Sequence, residues 1–400
     1  MRPLQYPCSD RGVQQLTTSF LLQQLHLPQL SGACTPALIV SLLVAAACRR
    51  TFLFTLARLF RLPCSDETVR TTLRESLPEY DRLRRQGSRM LSLWLPASFR
   101  RARRLKRARR RKHKVAIDYH KVPFWNRGGE PPPRCLRSAS QHGTCYFHVY
   151  ASLMLLKKGQ RYTVALRPVL PGDKTPRVLR ALLDEARRRG VRVGLLLVDR
   201  GFWSAEVLRY LQQARIPYVL PVVARGRLPE QPGGPGGTRV FFHKKKTGRY
   251  AYTVCGRGKR RVRVTIWVLR RNHRGRKGKR GRYAWVYAGH GVRVETALWL
   301  RKVYRGRFAI ETSYRQGEQA RLRTTSRDER QRLLAVLLGL LLRNVWLYVN
   351  AERQRQIAQG FQPLPLAVLL EWIHQATTEE WPLLHEPSGD IDILAPPGQL

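Results

Sequence analysis

Two different periods of apolar residues divide the chain. Over residues 1–98 they recur every three or four positions, which predicts helices from Gly12 to Leu27, Pro36 to Arg49, Thr51 to Arg61 and Ser65 to Ser76, with breaks at Pro28, Gly32 and Pro63. From Val115 the apolar residues alternate or run together. Val115 to Tyr119, Thr144 to Leu155 and Tyr162 to Pro168 predict three strands of an antiparallel meander, punctuated by Pro131 to Pro133 and Gly159. A helix with a polar face follows from Lys174 to Arg189, then an apolar strand from Val191 to Val198, a helix from Ser204 to Gln213 and a strand from Pro217 to Pro221. Strands alternating with helices call for right-handed crossovers, so the expected class is α/β with a mixed sheet flanked by helices.

Residues 223–294 depart from this pattern. Turns rich in Gly and Pro surround alternating segments at Val262 to Leu269 and Tyr283 to Ala288, which reads as a β-rich insertion. Helical spacing returns from Glu295 to Leu322, Arg327 to Asn350 and Leu364 to Gln375, before a Pro-rich end. The expected division is a helical region at 1–98, a linker at 99–114, a core in two parts at 115–222 and 295–350 around the insertion at 223–294, and a helical tail at 351–400. The apolar stretch Pro36 to Cys48 is too short to span a bilayer and follows a Gln-rich leader without a basic cluster. It is expected to be a buried helix, and no membrane partner is expected.

Charge changes the picture most. Against 75 Lys and Arg stand 26 Asp and Glu, a formal +49 over 400 residues, which calls for a polyanionic partner, and nucleic acid is the obvious one. Arg, much the commoner cation, grips phosphate and guanine edges bidentately, although a GC-rich genome enriches it too. Arg100 to Lys114 carries 11 basic residues in 15; it is too repulsive to pack alone and is placed to lie along phosphates, with Arg104 and Arg107 as candidate contacts. The short N-terminal helices suit a helix-turn-helix module, Ser65 or Asp66 capping a fourth helix whose Arg70 and Arg74 would face a DNA groove. A helical bundle with solvated charges accounts for the same pattern. The clusters at Lys244 to Lys246 and Arg270 to Arg282 have no special spacing and read as general phosphate attraction. Seven Cys form no close pair, which favours a reducing cytoplasm over a disulfide framework or a zinc site. Phosphate-loop and dinucleotide fingerprints are missing, so no nucleotide cofactor is expected, and the ten His form no ligand motif.

The candidate chemistry lies in three acids. Asp118 ends the apolar run Val-Ala-Ile-Asp-Tyr, and Asp199 ends Gly-Leu-Leu-Leu-Val-Asp-Arg-Gly-Phe. A carboxylate at the end of a buried strand is costly unless a cation compensates it, and the C-terminal edges of such strands are where ligands gather. Each Asp alone could as well cap a turn, and Arg200 could simply pair with Asp199. The third element is Tyr304-x-x-Arg307-x-x-x-Glu311, whose offsets of three and four would place the three side chains on one face of a helix. Carboxylates gathered in this way are the usual holders of magnesium facing phosphate.

With these residues the chain resembles the DDE transposases of bacterial and archaeal insertion sequences, in the subgroup with the signature Tyr-x2-Arg-x3-Glu-x6-Lys. The likeness covers residues 115–350 and includes Asp199-Arg200-Gly201-Phe202, similar to the family's Asp-Arg-x-Phe. It implies a ribonuclease H-like core whose first strand carries Asp118, whose fourth carries Asp199, and whose helix after the insertion carries Glu311. It implies two magnesium ions, replaceable by manganese, for cleavage at the element's ends and strand transfer into target DNA, by cut-and-paste through hairpins. It implies double-stranded DNA as partner, both terminal inverted repeats and target, and a homodimer that synapses two ends, with the helices after Asn350 as contact surface. The expected location is the cytoplasm, on the nucleoid. Tyr304 and Arg307 would grip a phosphate, Arg200 would lie beside DNA, and Trp285 or Trp267 would offer a ring to a flipped base. Trp267 reads equally as a strand core residue.

One position departs from the signature: Glu318 stands where the family has Lys. Arg315 and Arg321 lie one helical turn on either side of it and are candidates to supply the missing charge to DNA. Glu318 as a metal ligand, a nuclease on the same fold, and an inactive DNA-binding repressor are the alternatives this position leaves open.

Overall fold

The sheet grows from β1 (His113–Phe124), whose buried Val115, Ala116 and Ile117 lie between two neighbours. On one side β3 (Thr144–Leu155) runs antiparallel to it; on the other β5 (Val193–Val198) runs parallel. β4 (Thr163–Val169) pairs antiparallel beyond β3, and β6 (Tyr218–Pro221) pairs parallel beyond β5. The order β4-β3-β1-β5-β6 is the ribonuclease H-like mixed sheet that the resemblance implied. These relations belong to a computed structural model that describes residues 9–28, 32–96, 112–125, 131–132, 134–157, 161–234, 236–256, 261–274, 280–357 and 360–381. Arg104 and Arg107 and the rest of the expected linker up to residue 111 lie outside the described residues, as does the end of the tail; His113 and Lys114, expected in the linker, open β1.

The chain divides into two compact units, residues 84–315 and residues 1–83 with 316–400. In the first, β2 (Leu136–Gln141) shares the outer edge of β3, a strand the polar sequence Leu-Arg-Ser-Ala-Ser-Gln hides because few of its side chains are buried. The insertion contributes the short helix α8 (Val240–His243) and the strands β7 (Gly248–Cys255), β8 (Arg261–Arg274) and β9 (Arg280–His290), and β9 pairs antiparallel with β6. The insertion therefore continues the core sheet to nine strands. Gly289 makes this join possible: a Cβ there would collide with the Tyr218 carbonyl and the Trp267 ring.

Helices cover the sheet by the expected periodicity. α6 (Thr175–Arg188) buries Val178, Leu179, Leu182, Leu183 and Ala186, a single stripe at offsets of three and four that packs on β3 and β4. Each buried Leu or Val contributes about 1.5–3 kcal/mol relative to exposure. α7 (Ala205–Gln213) starts at Ser204, whose hydroxyl accepts the Val207 amide. The helix expected from Glu295 to Leu322 is interrupted: α9 (Ala297–Arg305) and α10 (Ala309–Gln319) are separated by a 3-10 turn at Gly306–Phe308. Gly306, a weak helix former, stands at the break. Tyr304 and Glu311 thus lie on different helices, not on one continuous face.

In the other unit, α1 (Asp10–Leu25), α2 (Pro36–Cys48), α3 (Leu53–Leu59) and α4 (Asp66–Ser76) occur with α11 (Glu329–Gln356) and α12 (Leu366–Glu380). α5 (Tyr80–Leu93) straddles the division and was not singled out by periodicity. α2 is the buried helix expected: every residue from Leu38 to Cys48 is buried, and the Thr35 hydroxyl caps it by accepting the Leu38 amide. α1, α11 and α12 all pack against it. Among the described residues only α11 is long and apolar enough to cross a membrane, and 83% of its apolar window is buried inside the protein, as in a core helix.

Candidate active site

Parallel pairing sets the first contact of the site. Ile117 of β1 is in register with Val198 of β5, so the next residues, Asp118 and Asp199, stand side by side where β5 ends and β1 runs on. A 3-10 turn at Arg200–Phe202 leads the chain away from Asp199 and stacks Phe202 on Tyr119, ring centroids 4.9 Å apart. Glu311 enters from the first turn of α10.

The three carboxylates meet at one side chain. Arg307, from the turn between α9 and α10, is 4% exposed, and its Nη1 is 2.6 Å from Asp118 Oδ2. Its Nη2 lies 2.5 Å from Glu311 Oε1 and 3.9 Å from Asp199 Oδ1, while Nε is buried with no hydrogen-bond partner among the described residues. Burial alone would lower the Arg307 pKa, but Tyr304, Asp118 and Asp199 around it raise the net value, so the guanidinium stays charged. Asp118 is pushed the other way from a comfortable carboxylate: burial raises its pKa, Arg307 and the Tyr119 amide oppose this, and Asp199 adds to it. Three acids thus share one cation, leaving a local excess of negative charge in a strongly basic protein.

The surroundings hold these groups still. Tyr304 is 4% exposed, within a core cluster containing Leu195, Leu197, Trp267 and Tyr287, and its hydroxyl donates to the Val198 carbonyl at 3.2 Å. It braces α9 against the end of β5, next to Asp199. Tyr314, one turn beyond Glu311, donates to the Asp118 carbonyl at 3.0 Å, bonds the Ser152 hydroxyl at 2.8 Å and stacks on His120 at 4.6 Å. Sequence reasoning passed over Tyr314, although its offset of three from Glu311 was a visible signal.

The remaining candidates lie as follows. Arg200 and Arg315 are exposed, and Arg321 pairs with Glu318 at 2.8 Å. Arg321 lies beyond the end of α10, so the charge it was expected to offer from a helical face is already matched by Glu318. Trp267 is a core residue at 7% exposure; Trp285 packs against the same cluster, with the Arg301 guanidinium 3.9 Å over its ring.

Residues 139–345 match the family model of the transposase DDE domain, more than half of the chain. The chain belongs to this family. The match includes Asp199, Tyr304, Arg307 and Glu311; Asp118 lies upstream of it and joins the site through the β1–β5 register. In structure, this DDE transposase is similar to the piggyBac transposase in a cryo-EM structure of its synaptic complex with hairpin DNA. The TM-score is 0.57 at 11% identity, over 97% of this chain and 84% of that one, a likeness of fold. No match was found among curated proteins.

As a cation site, the transposase's acid cluster has the right chemistry. Three hard oxygen donors converge from two neighbouring strands and a helix and already surround a positive group. Among the described residues no three acidic, His or Cys side chains stand close enough to enclose an ion directly, and the Arg307 guanidinium lies between these carboxylates.

Proposed function

We propose that this transposase cuts DNA at the ends of an element and transfers the strand into target DNA, with Asp118, Asp199 and Glu311 holding divalent cations. The convergence of these three carboxylates on the single buried charge of Arg307 carries the reading. Transposases of this family normally use divalent metal, and the donor set suits two magnesium ions, with manganese as a substitute. When bound, such ions supply the charge that activates the attacking oxygen and stabilises the leaving one.

The chain's own residues do the rest. Asp118 and Asp199 present their oxygens from adjacent strand positions, which fixes their separation through the sheet and not through a loop. Arg307 neutralises the acids while no other cation is present. Once its partners' charge is met elsewhere, its guanidinium is free to turn to a DNA phosphate, as the resemblance implied for this position. Tyr304, buried with its hydroxyl on Val198, acts as the brace that positions Arg307 and Asp199. In the first reaction water attacks phosphorus at the element's end, and the bond to the 3′ oxygen breaks, leaving a 3′-hydroxyl. In the second that hydroxyl attacks a target phosphodiester, so one P–O bond forms as another breaks and the bond count is conserved. Release through hairpins, a homodimer that synapses two ends through the chain after Asn350, and action on the nucleoid in the cytoplasm complete the proposal. The hairpin DNA of the piggyBac complex supports the route by analogy of fold.

The test is cleavage of a plasmid carrying the gene with its native flanking DNA, using wild type and Asp199→Ala, with magnesium and with chelator. Release of a discrete fragment by wild type with metal alone is the expected result. Fragment release by Asp199→Ala, or by wild type in chelator, overturns it.

A further inference from the structure

We infer that the groove between α4 and the segment leading into α11 docks the sugar-phosphate backbone of duplex DNA. A cavity of about 660 Å³ opens there, lined by Phe52 and Phe54, by Arg70 and Arg74 of α4, and by the run Arg323-Thr-Thr-Ser-Arg327. All of these residues belong to the unit that lacks the acid cluster.

The charge balance of the groove identifies its occupant. Its acids are already matched: Asp66 by Arg58 at 2.7 Å, Glu67 by Arg70 at 2.5 Å and Asp328 by Arg330 at 2.7 Å. Arg74, Arg323 and Arg327 are exposed, and among the described residues no carboxylate pairs with them. Between the last two stand Thr324, Thr325 and Ser326. Guanidinium groups on either side of small hydroxyls suit phosphate oxygens and sugars, the contacts that position a protein on DNA without reading its sequence.

The groove is also held in shape before anything binds. The Arg323 amide donates to the Thr51 carbonyl at 3.1 Å, tying the basic segment to the residues before α3. Arg330 does more: while paired with Asp328, it donates to the carbonyls of Leu77 at 3.0 Å and Arg74 at 2.9 Å, clamping the end of α4 to the start of α11. A rigid cationic groove loses little entropy when a stiff polyanion fills it. Arg74 and Arg70 are the residues expected from the sequence to face a DNA groove; residues 323–327, some 250 positions away, carry no such local signal.

This inference rests on the reading of the chain as an enzyme acting on DNA, and its test separates the two. Binding of a fluorescein-labelled random-sequence duplex is measured by anisotropy, without metal, across a range of salt, for full-length wild type and for Arg74→Gln/Arg323→Gln/Arg327→Gln. The control is Arg177→Gln/Arg187→Gln/Arg209→Gln, which removes equal charge from α6 and α7. The groove variant is expected to bind at least tenfold more weakly, and its slope of log affinity against log salt is expected to fall by about 2.7, roughly 0.9 for each lost phosphate contact. Lys at the same three positions restores most of both. An unchanged slope in the groove variant, or an equal loss in the control, overturns the proposal. Misfolding of the Gln variant would show in its melting curve; Arg323→Gln/Arg327→Gln is then compared with Arg177→Gln/Arg209→Gln, a slope lower by about 1.8 in the groove pair alone supporting the proposal and an unchanged slope overturning it. Failure of Asp199→Ala to abolish plasmid cleavage would overturn the active site while leaving the groove intact.

Discussion

The acid cluster around Arg307 and the arginine groove beside α4 are inverted versions of one another. In the cluster three carboxylates share one buried guanidinium; in the groove every lining acid has its own arginine and three further arginines remain. A chain with a formal charge of +49 attracts DNA almost anywhere on its surface, so positive charge alone marks no particular place. What is informative is the local departure. In the proposed function, a site where acids outnumber cations, in a protein so short of acids, takes another cation. A groove whose acids are individually neutralised is left open for phosphate.

The sharpest way to break this contrast is to remove an acid. Asp118→Asn or Asp199→Ala should lower plasmid cleavage by about a thousandfold, the upper end of what is lost when charge stabilisation is removed from a reacting centre. Duplex binding measured alongside should hardly change. Next in size is Arg307→Ala. Without metal it leaves Asp118, 15% exposed, and its neighbours uncompensated, and breaking a buried pair in this way costs about 3–5 kcal/mol. Urea unfolding should show that loss, and manganese should recover part of it. The triple Gln change in the groove should move stability by no more than about 0.5 kcal/mol per residue, about 1.5 kcal/mol in all, as exposed substitutions do. Equal losses at the two places would erase the distinction between them.

Tyr314→Phe should cost less, about 1–3 kcal/mol, by taking the hydroxyl from the Asp118 carbonyl and Ser152. Cleavage should fall with it, since the β1 backbone at Asp118 loses its support; a variant with full stability and full activity would show that Tyr314 is not a positioning residue. The smallest effect is in pH. Asp118 has a pKa raised by burial, so the folded state binds its proton more tightly than the unfolded one, and its contribution to metal-free stability is lost as pH rises through the raised value. Asp328, beside the groove, has its pKa lowered by the Arg330 hydrogen bonds despite its burial; its contribution is present above the ordinary Asp range and is lost as pH falls through the lowered value. Unfolding followed against pH should therefore change in opposite senses for Asp118→Asn and Asp328→Asn.

Much of this was readable in the sequence, for local reasons. The apolar run ending at Asp199 showed that acid at a strand end, because strand burial is recorded in consecutive residues; Asp118, expected at a strand end too, lies in the middle of β1, which runs on to Phe124 by pairing with β3. Thr144–Leu155 was bounded correctly for the same reason. The spacing of Arg307 and Glu311 also survived, because an offset of four brings the side chains together even across the start of α10. Tyr304 did not behave as its spacing suggested: the break at Gly306 leaves it on a separate helix, in a core made by distant strands. Nothing in the local sequence showed that one arginine would hold all three acids, or that Arg330 would bond the carbonyl of a residue 256 positions earlier. Such pairings depend on which elements become neighbours, and the nine-strand sheet that brings the insertion onto β6 is likewise a long-range choice.

The most direct test of the central claim is a manganese titration followed by electron paramagnetic resonance, comparing wild type with Asp118→Asn, Asp199→Asn and Glu311→Gln, each bound to duplex DNA. Bound manganese that is lost or greatly weakened in all three variants is the predicted result. Manganese bound equally well by wild type and by the three variants would contradict the assignment of these carboxylates as the metal site.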